Sequence, residues 1–274
     1  MVLESKNIMN QLLFRSQLKK NLLSWKLVVI VGVSIGLVIL EQKTTNNWHL
    51  VKSNNFLHYV VLMDKYSLAG VAYLLVLPIL SALLGGTIYS GEFHSGRIIS
   101  LQARLSRREI IKTISLSSFI LGGIAAVIPI LGSVPVAFVV LSRFDFISGN
   151  SNFSIFESNF WGYSLYEHSQ IALILILLGL LFIFGGLVAV VSTVISFYTK
   201  IKYIELLLPF VFSLIWFLLV SAIGFPEMGH IVFLDFPVSS GFPNVDLYLT
   251  VAYFILAIGS VVLITRKERN DDFA

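Results

Sequence analysis

Gly91-Glu-Phe-His-Ser-Gly-Arg-Ile-Ile-Ser-Leu-Gln-Ala-Arg-Leu-Ser-Arg-Arg-Glu-Ile-Ile-Lys112 is the stretch whose reading decides the fold. It is a cationic interruption between two long apolar runs, and Arg97, Arg104, Arg107, Arg108 and Lys112 all fall within it. An arginine at the centre of a bilayer costs roughly 2.5–3.5 kcal/mol on insertion scales, so four together would cost about 10 kcal/mol or more. The stretch must therefore lie outside the hydrocarbon, and the runs on either side of it must be what crosses.

The rest of the chain agrees. Apolar residues make up 57%, charged residues only 12%, and mean hydropathy is +0.88. Soluble domains do not reach such values. With no cysteine in the sequence, disulfides, Cys-ligated zinc, Fe–S clusters and thiol nucleophiles are excluded. The first apolar run ends in Leu40-Glu-Gln-Lys43 without a small-x-small cleavage pattern, so it reads as a retained span and not a signal peptide. The expectation is an all-α integral membrane protein, one transmembrane domain over residues 1–274.

Moving outward from the basic stretch, span 2 is predicted over 68–90 and span 3 over 114–141, with Pro129 and Pro135 expected to kink or break the latter. Span 1 covers 25–40. Its uninterrupted apolar part, Leu27–Leu40, is short against the ~20 residues a bilayer needs, and a snorkelling Lys26 restores the length. Residues 5–24 read as an amphipathic interfacial helix, with Ile8, Leu12, Phe14 and Leu18 as its apolar stripe and Arg15, Lys19 and Lys20 alongside. Spans 4, 5 and 6 are predicted over 171–198, 204–223 and 247–265. Residues 41–66 and 142–168 read as polar loops, the former with an apolar patch at Phe56–Met63. Residues 225–246 read either as a re-entrant or interfacial element around Ile231-Val-Phe-Leu234 or as a plain loop.

Six spans put both termini on one side, and charge selects the side. The termini and the loops between spans 2 and 3 and spans 4 and 5 hold fifteen Lys/Arg, against four (Lys43, Lys52, Lys65, Arg143) in the other loops. The positive-inside rule then makes the termini and the basic stretch cytoplasmic, in a multi-pass protein of the cell membrane whose immediate surroundings are the lipid bilayer. Nothing in the pattern calls for a nucleic-acid partner.

Little chemistry is placed inside the spans. Gln170, Glu205 and Glu92 stand at span ends, whereas proton-coupled carriers and intramembrane hydrolases need ionisable groups at depth. The histidines His49, His58, His94, His168 and His230 show no ligand spacing, so no metal site is expected and each reads as solvated or interfacial. Gly91 to Ile98 imitates P-loop glycine spacing, but Arg97-Ile98 stands where Lys-Ser/Thr is required and no βαβ context exists. Any ATPase must be another chain.

Ser106-Arg-Arg-Glu109 has capping-box form, the Ser hydroxyl accepting from the Glu109 N–H while the Glu side chain reaches back. Helix would then start at Ser106 or just after it. Before the cap, Ile98, Leu101 and Leu105 recur at helical spacing, with Arg97, Arg104 and Arg108 as a cationic row. The picture is a short amphipathic helix along the cytoplasmic surface, then a sharp turn into span 3. The alternative is a basic loop that only pins orientation.

Glu92, Gly96, Leu101 and Ser106-Arg107-Arg108-Glu109-Ile110-Ile111-Lys112 resemble the signature between spans 2 and 3 of ABC-2 type transporter permeases. There an acidic residue ends span 2, a Gly-Thr pair follows, and Leu-x-x-Pro-x-Ser-Arg leads through a hydrophobic run to Lys. This chain departs from the pattern at Arg97 and Arg104, which replace Thr and Pro. The resemblance implies a cytoplasmic coupling helix seated in a separate nucleotide-binding subunit, with Glu92 at the membrane–ATPase junction. It implies that Arg97, Arg104, Arg107 and Arg108 face that ATPase or nearby headgroups. It also implies ATP and Mg on the partner and no cofactor on this chain, a homodimer or second permease chain, and export with small peptides or antimicrobials as the favoured cargo. The chain would be no enzyme itself. The competing expectation is an ATP-independent six-span carrier or membrane assembly factor, with a membrane enzyme behind both.

Overall fold

The computed structural model of the protein describes residues 2–48, 56–65, 67–140, 155–158, 160–199, 201, 203–242 and 244–270. His49, Lys52, residues 141–154 with Arg143, Lys200, Lys202 and the acidic tail at 271–274 lie outside the described residues, as do the side chains of Lys6, Ile8 and Arg269. In chain order, α1 (Val2–Leu22) precedes α2 (Trp25–Trp48), and a 3-10 turn at Phe56–Tyr59 leads to α3 (Leu68–Ser81). A π-helical turn, Ala82–Gly86, joins α3 to α4 (Ile88–His94), and α5 (Arg97–Gln102) and α6 (Arg107–Val140) follow. Then come α7 (Tyr163–His168), α8 (Gln170–Tyr198), α9 (Ile204–Ile223), a 3-10 turn at Pro226–Met228, α10 (His230–Phe233), α11 (Phe236–Ser239) and α12 (Val245–Asn270). No strand occurs among the described residues.

Among the described residues, six helical segments are long and apolar enough to cross a membrane: Trp25–Thr44, Leu68–Gly86, Arg107–Val139, Gln170–Tyr198, Ile204–Ile223 and Val245–Glu268. Helices are the local solution because hydrocarbon offers backbone groups no partner. The apolar stretches of α3 and α6 are each 61% buried and that of α8 56%, against 11% for α9 and 6% for α12. Three helices thus make the centre, and the others turn apolar side chains outward, at no cost where lipid tails are the solvent.

The centre is held by close backbone approach. A Cβ on Gly122 would meet the Gly185 carbonyl at 2.7 Å and collide with Ala189 Cβ, so α6 and α8 touch where only glycine fits. Hydroxyls tie the same helices across apolar surroundings. Tyr73 Oη donates to the Ala126 carbonyl (2.6 Å), Thr193 Oγ1 to Ser118 Oγ (2.7 Å), and Tyr253 Oη to the Leu180 carbonyl (2.6 Å).

Several expectations change. α2 runs eight residues past the predicted end of span 1 at residue 40, because Glu41 is buried and bonded by Ser67, and Thr44 Oγ1 donates to the Leu40 and Glu41 carbonyls. α6 is one continuous helix through Pro129 and Pro135, so neither proline breaks it. In α1 the buried face is Leu13, Gln17 and Asn21, while Leu12 is 61% exposed. Of the expected stripe, Leu12 points away while Phe14 and Leu18 are half-buried, and the face turned to the protein mixes Leu13, Leu18 and Leu22 with Gln17 and Asn21. Residues 225–246 are not a plain loop, since among the described residues they form a 3-10 turn and the short helices α10 and α11. Their short turns fold onto the end of the bundle, burying Ile231, Phe233, Leu234 and Phe236, and α10 lies against α3, α9 and α12. The patch after Phe56 does likewise: Leu57 and Tyr59 to Met63 are buried, and Val61 N–H donates to Ser133 Oγ at 3.2 Å.

Candidate functional site

The elbow between α4 and α6 starts from a backbone requirement. Gly96 sits at φ +73 between α4 and α5, a left-handed conformation that costs glycine little and other residues more. It turns the chain so that α5 leaves the line of α4. Ile98 is buried, and Leu105 is buried and Leu101 half-buried against the cluster that includes Leu13, Leu84, Ile88 and Ile110. The far side of the elbow is open, with Ile99 76% and Phe93 43% exposed.

The start of α6 is capped. Glu109 N–H donates to Ser106 Oγ at 3.4 Å, while Ser106 N–H and Oγ donate to Glu109 Oε2 at 3.0 and 2.7 Å. This is a reciprocal capping box, and it fixes where the surface segment ends and the long helix begins.

Glu92, the last acid of α4, is 1% exposed. Lys20 Nζ of α1 donates to its Oε1 at 2.6 Å, and Arg97 Nε lies 3.3 Å from its Oε2. Both cations reach in from partly exposed positions, keeping one side hydrated while they offset the buried charge. Lys26 Nζ donates to Thr87 Oγ1 at 2.7 Å and lies within electrostatic reach of Glu92 and Glu205. Glu205 is itself buried at the start of α9, where an acid meets the positive end of the helix dipole. Five elements (α1, α2, α4, α5, α9) therefore converge on one charge cluster.

The other sequence-derived site residues lie around it. Glu92 is a buried tie, and Arg97, half-exposed, pairs with it. Arg108 Nε donates to Glu268 Oε2 of α12 at 2.9 Å. Arg104 follows α5 in the turn at 103–106 and is exposed, so Arg97, Arg104 and Arg108 do not form one helical row: the helix between them ends at Gln102. Arg104 and Arg107 stay on the outer surface with Ile99. Sequence reasoning gave Lys20 to the interfacial helix and Lys26 to snorkelling, and so missed both as members of this cluster. It missed Ile99 because Ile99 stands in an apolar pair whose other member, Ile98, is buried.

The opposite end of the bundle holds a second polar layer whose histidines the sequence reading placed in solvent or at the membrane interface. His58, Asp64, His230 and Asp235 are all buried, with His58 Nδ1 3.8 Å from Asp64 Oδ1. Glu41 accepts from Ser67 Oγ at 2.5 Å, and Asp235 Oδ1 accepts from Val238 N–H at 3.3 Å. Burial raises the Asp235 carboxyl to about 7, with Asp64 adding to the rise and Lys65 opposing it, and burial lowers the His230 imidazole to about 4. The Leu74 carbonyl, which Pro78 has no N–H to bond within α3, is the backbone group facing His230, although neither ring nitrogen closes a full hydrogen bond. Among the described residues no group of three or more His, Cys, Asp or Glu is placed to hold a metal ion.

Comparison with family models, with curated proteins and with solved structures finds no match for this chain.

Proposed function

We propose that this chain is the membrane-spanning permease subunit of an ATP-driven exporter of the ABC-2 type, lying in the cell membrane with both termini cytoplasmic. The observation that carries the reading is the elbow. A short helix stands between two long apolar helices, anchored underneath by buried Glu92 and presenting Ile99, Arg104 and Arg107 outward. An exposed apolar residue in the same short segment as two exposed arginines suits a protein partner, since such anchors carry most of the binding energy at interfaces. The partner is a separate ATPase subunit holding ATP and Mg. Its closure pushes α5, and the Glu92–Lys20 tie passes that displacement to α1 while the Ser106 cap passes it to α6. The tight α6–α8 glycine contact then moves as one body. Two permease chains, identical or paired, enclose the path, and small peptides or antimicrobials are the cargo class.

The test is copurification of this chain, expressed in its own host, with a soluble ATPase subunit carrying a Walker A motif. Ile99→Glu and the double variant Arg104→Glu/Arg107→Glu should lose the complex and its stimulated ATP hydrolysis while the permease still folds. Unchanged complex and hydrolysis in both variants would remove this reading.

The buried acids of the opposite end favour one second reading, an ATP-independent proton-linked carrier, because Asp235 exchanges its proton near neutral pH. In proteoliposomes without ATPase, uptake driven by a pH gradient and abolished in Asp235→Asn would select it.

A further inference from the structure

α2 and α6 diverge toward the end of the bundle away from the arginines, leaving an open groove of about 450 Å³. Val31, Ile35 and Val38 of α2 form one wall, and Ile128, Gly132 and Val136 of α6 the other. Ser34 also lines it, but its hydroxyl donates to the Ile30 carbonyl at 2.7 Å, so the floor offers no free polar group. A Cβ on Gly132 would meet nothing within 4 Å, which makes this glycine the open floor. Gln42 and Lys43 stand at the mouth, and Gln42 is fixed there by donating to the Tyr59 carbonyl at 3.3 Å.

Dimensions select the occupant. From Val31 to Lys43 at 1.5 Å per residue the groove is roughly 18 Å long, close to one leaflet of the ~30 Å hydrocarbon core. A single extended hydrocarbon chain matches that length, and the groove offers it valine and isoleucine side chains from both helices. The apolar slot ends at the exposed ammonium of Lys43, one leaflet away from mid-membrane, where a lipid phosphate lies.

We infer that the α2–α6 groove is a binding site for an anionic phospholipid of the leaflet opposite the basic elbow, one acyl chain lying in the groove and the phosphate meeting Lys43. This site is independent of the transport reading. The lipid fills the gap between α2 and the central helix α6, and so holds α2 in place.

Native mass spectrometry of the purified full chain, titrated with phosphatidylglycerol or phosphatidylcholine of identical acyl chains, tests it. The wild type should retain phosphatidylglycerol preferentially. Lys43→Ala should lower that retention roughly fivefold, as expected for one basic residue at a membrane surface, and leave phosphatidylcholine unchanged. Gly132→Leu should lose bound lipid of both kinds. Gly179→Leu, at another open glycine, should retain it. Equal retention of the two lipids by wild type and Lys43→Ala would overturn the site, as would full retention in Gly132→Leu. A Gly132→Leu variant that changes the protein's oligomeric mass and not its lipid count would also overturn it, since the groove would then be a protein interface.

Discussion

At the basic end of the bundle a buried acid meets cations, whereas at the opposite end buried acids meet hydroxyls, backbone and one another. Glu92 is bracketed by Lys20 and Arg97, each partly exposed. Glu41 has Ser67, and Asp235 has the Val238 N–H with Asp64 nearby. The first arrangement is a strap: charges from distant parts of the chain fix α1 and α5 to α4. The second is a lid in which burial pushes the Asp235 carboxyl up and the His230 imidazole down, each toward its neutral form. Burial has the same physical cost at both ends, and the partners decide whether a group is offset or neutralised.

Removing both cations breaks the contrast most severely. Lys20→Met with Arg97→Met leaves Glu92 buried beside Lys26 alone, and destabilisation of about 3–5 kcal/mol is expected, read as a lowered thermal midpoint in detergent. Adding Glu92→Gln to the pair should recover most of it, while Glu41→Gln alone should cost less than about 1 kcal/mol, because Ser67 can donate to an amide oxygen as well. Equal losses for Glu41→Gln and the cation pair would erase the distinction between the ends.

The next effect is pH dependence at the lid. Asp235 binds its proton more tightly folded (about 7) than unfolded (3.8), so its contribution is fully present below pH 4 and lost as pH rises through 7. His230 runs the other way: its folded value of about 4 lies below 6.5, so stability is lost as pH falls from 6.5 through 4. The two oppose one another between pH 4 and 6.5. Asp235→Asn should remove a fall of about 2–4 kcal/mol between pH 4 and 7 and leave the acid loss set by His230. A melting profile unchanged from wild type across pH 4–7 would count against the buried lid.

Smaller effects sharpen the basic end. Ser106→Ala should cost about 1 kcal/mol through loss of the α6 cap, with greater amide exchange in residues 106–110. Arg108→Ala should cost under about 1 kcal/mol, since Arg108 is largely exposed although Glu268 is not.

The legible part of the site was its local part. The Ser-x-x-Glu box at Ser106 and the Gly96 turn follow from side chains acting on backbone a few residues away, so spacing suffices to find them. The arginine row failed because it assumed the helix continued past Gln102, and the direction of Arg97 depends on where Glu92 is buried. The histidines failed similarly: His58 and His230 sit in segments that read as loops, and only the apolar residues around them, Leu57, Val60, Ile231 and Phe233, hinted that those loops fold back onto the bundle.

By itself the sequence determined the six apolar segments, their helical form, the two-sided distribution of charge, and the start of α6. Each follows from transferring a contiguous stretch between water and hydrocarbon, or from hydrogen bonds within one turn. Only the tertiary structure decided that Lys20 closes on an acid 72 residues away, that Asp235 and His230 leave water, and that α2 and α6 part to leave a groove. Those outcomes depend on which helices approach most closely, which is set by shape across the whole bundle, at contacts such as Gly122 against Gly185, and not by any one segment's composition.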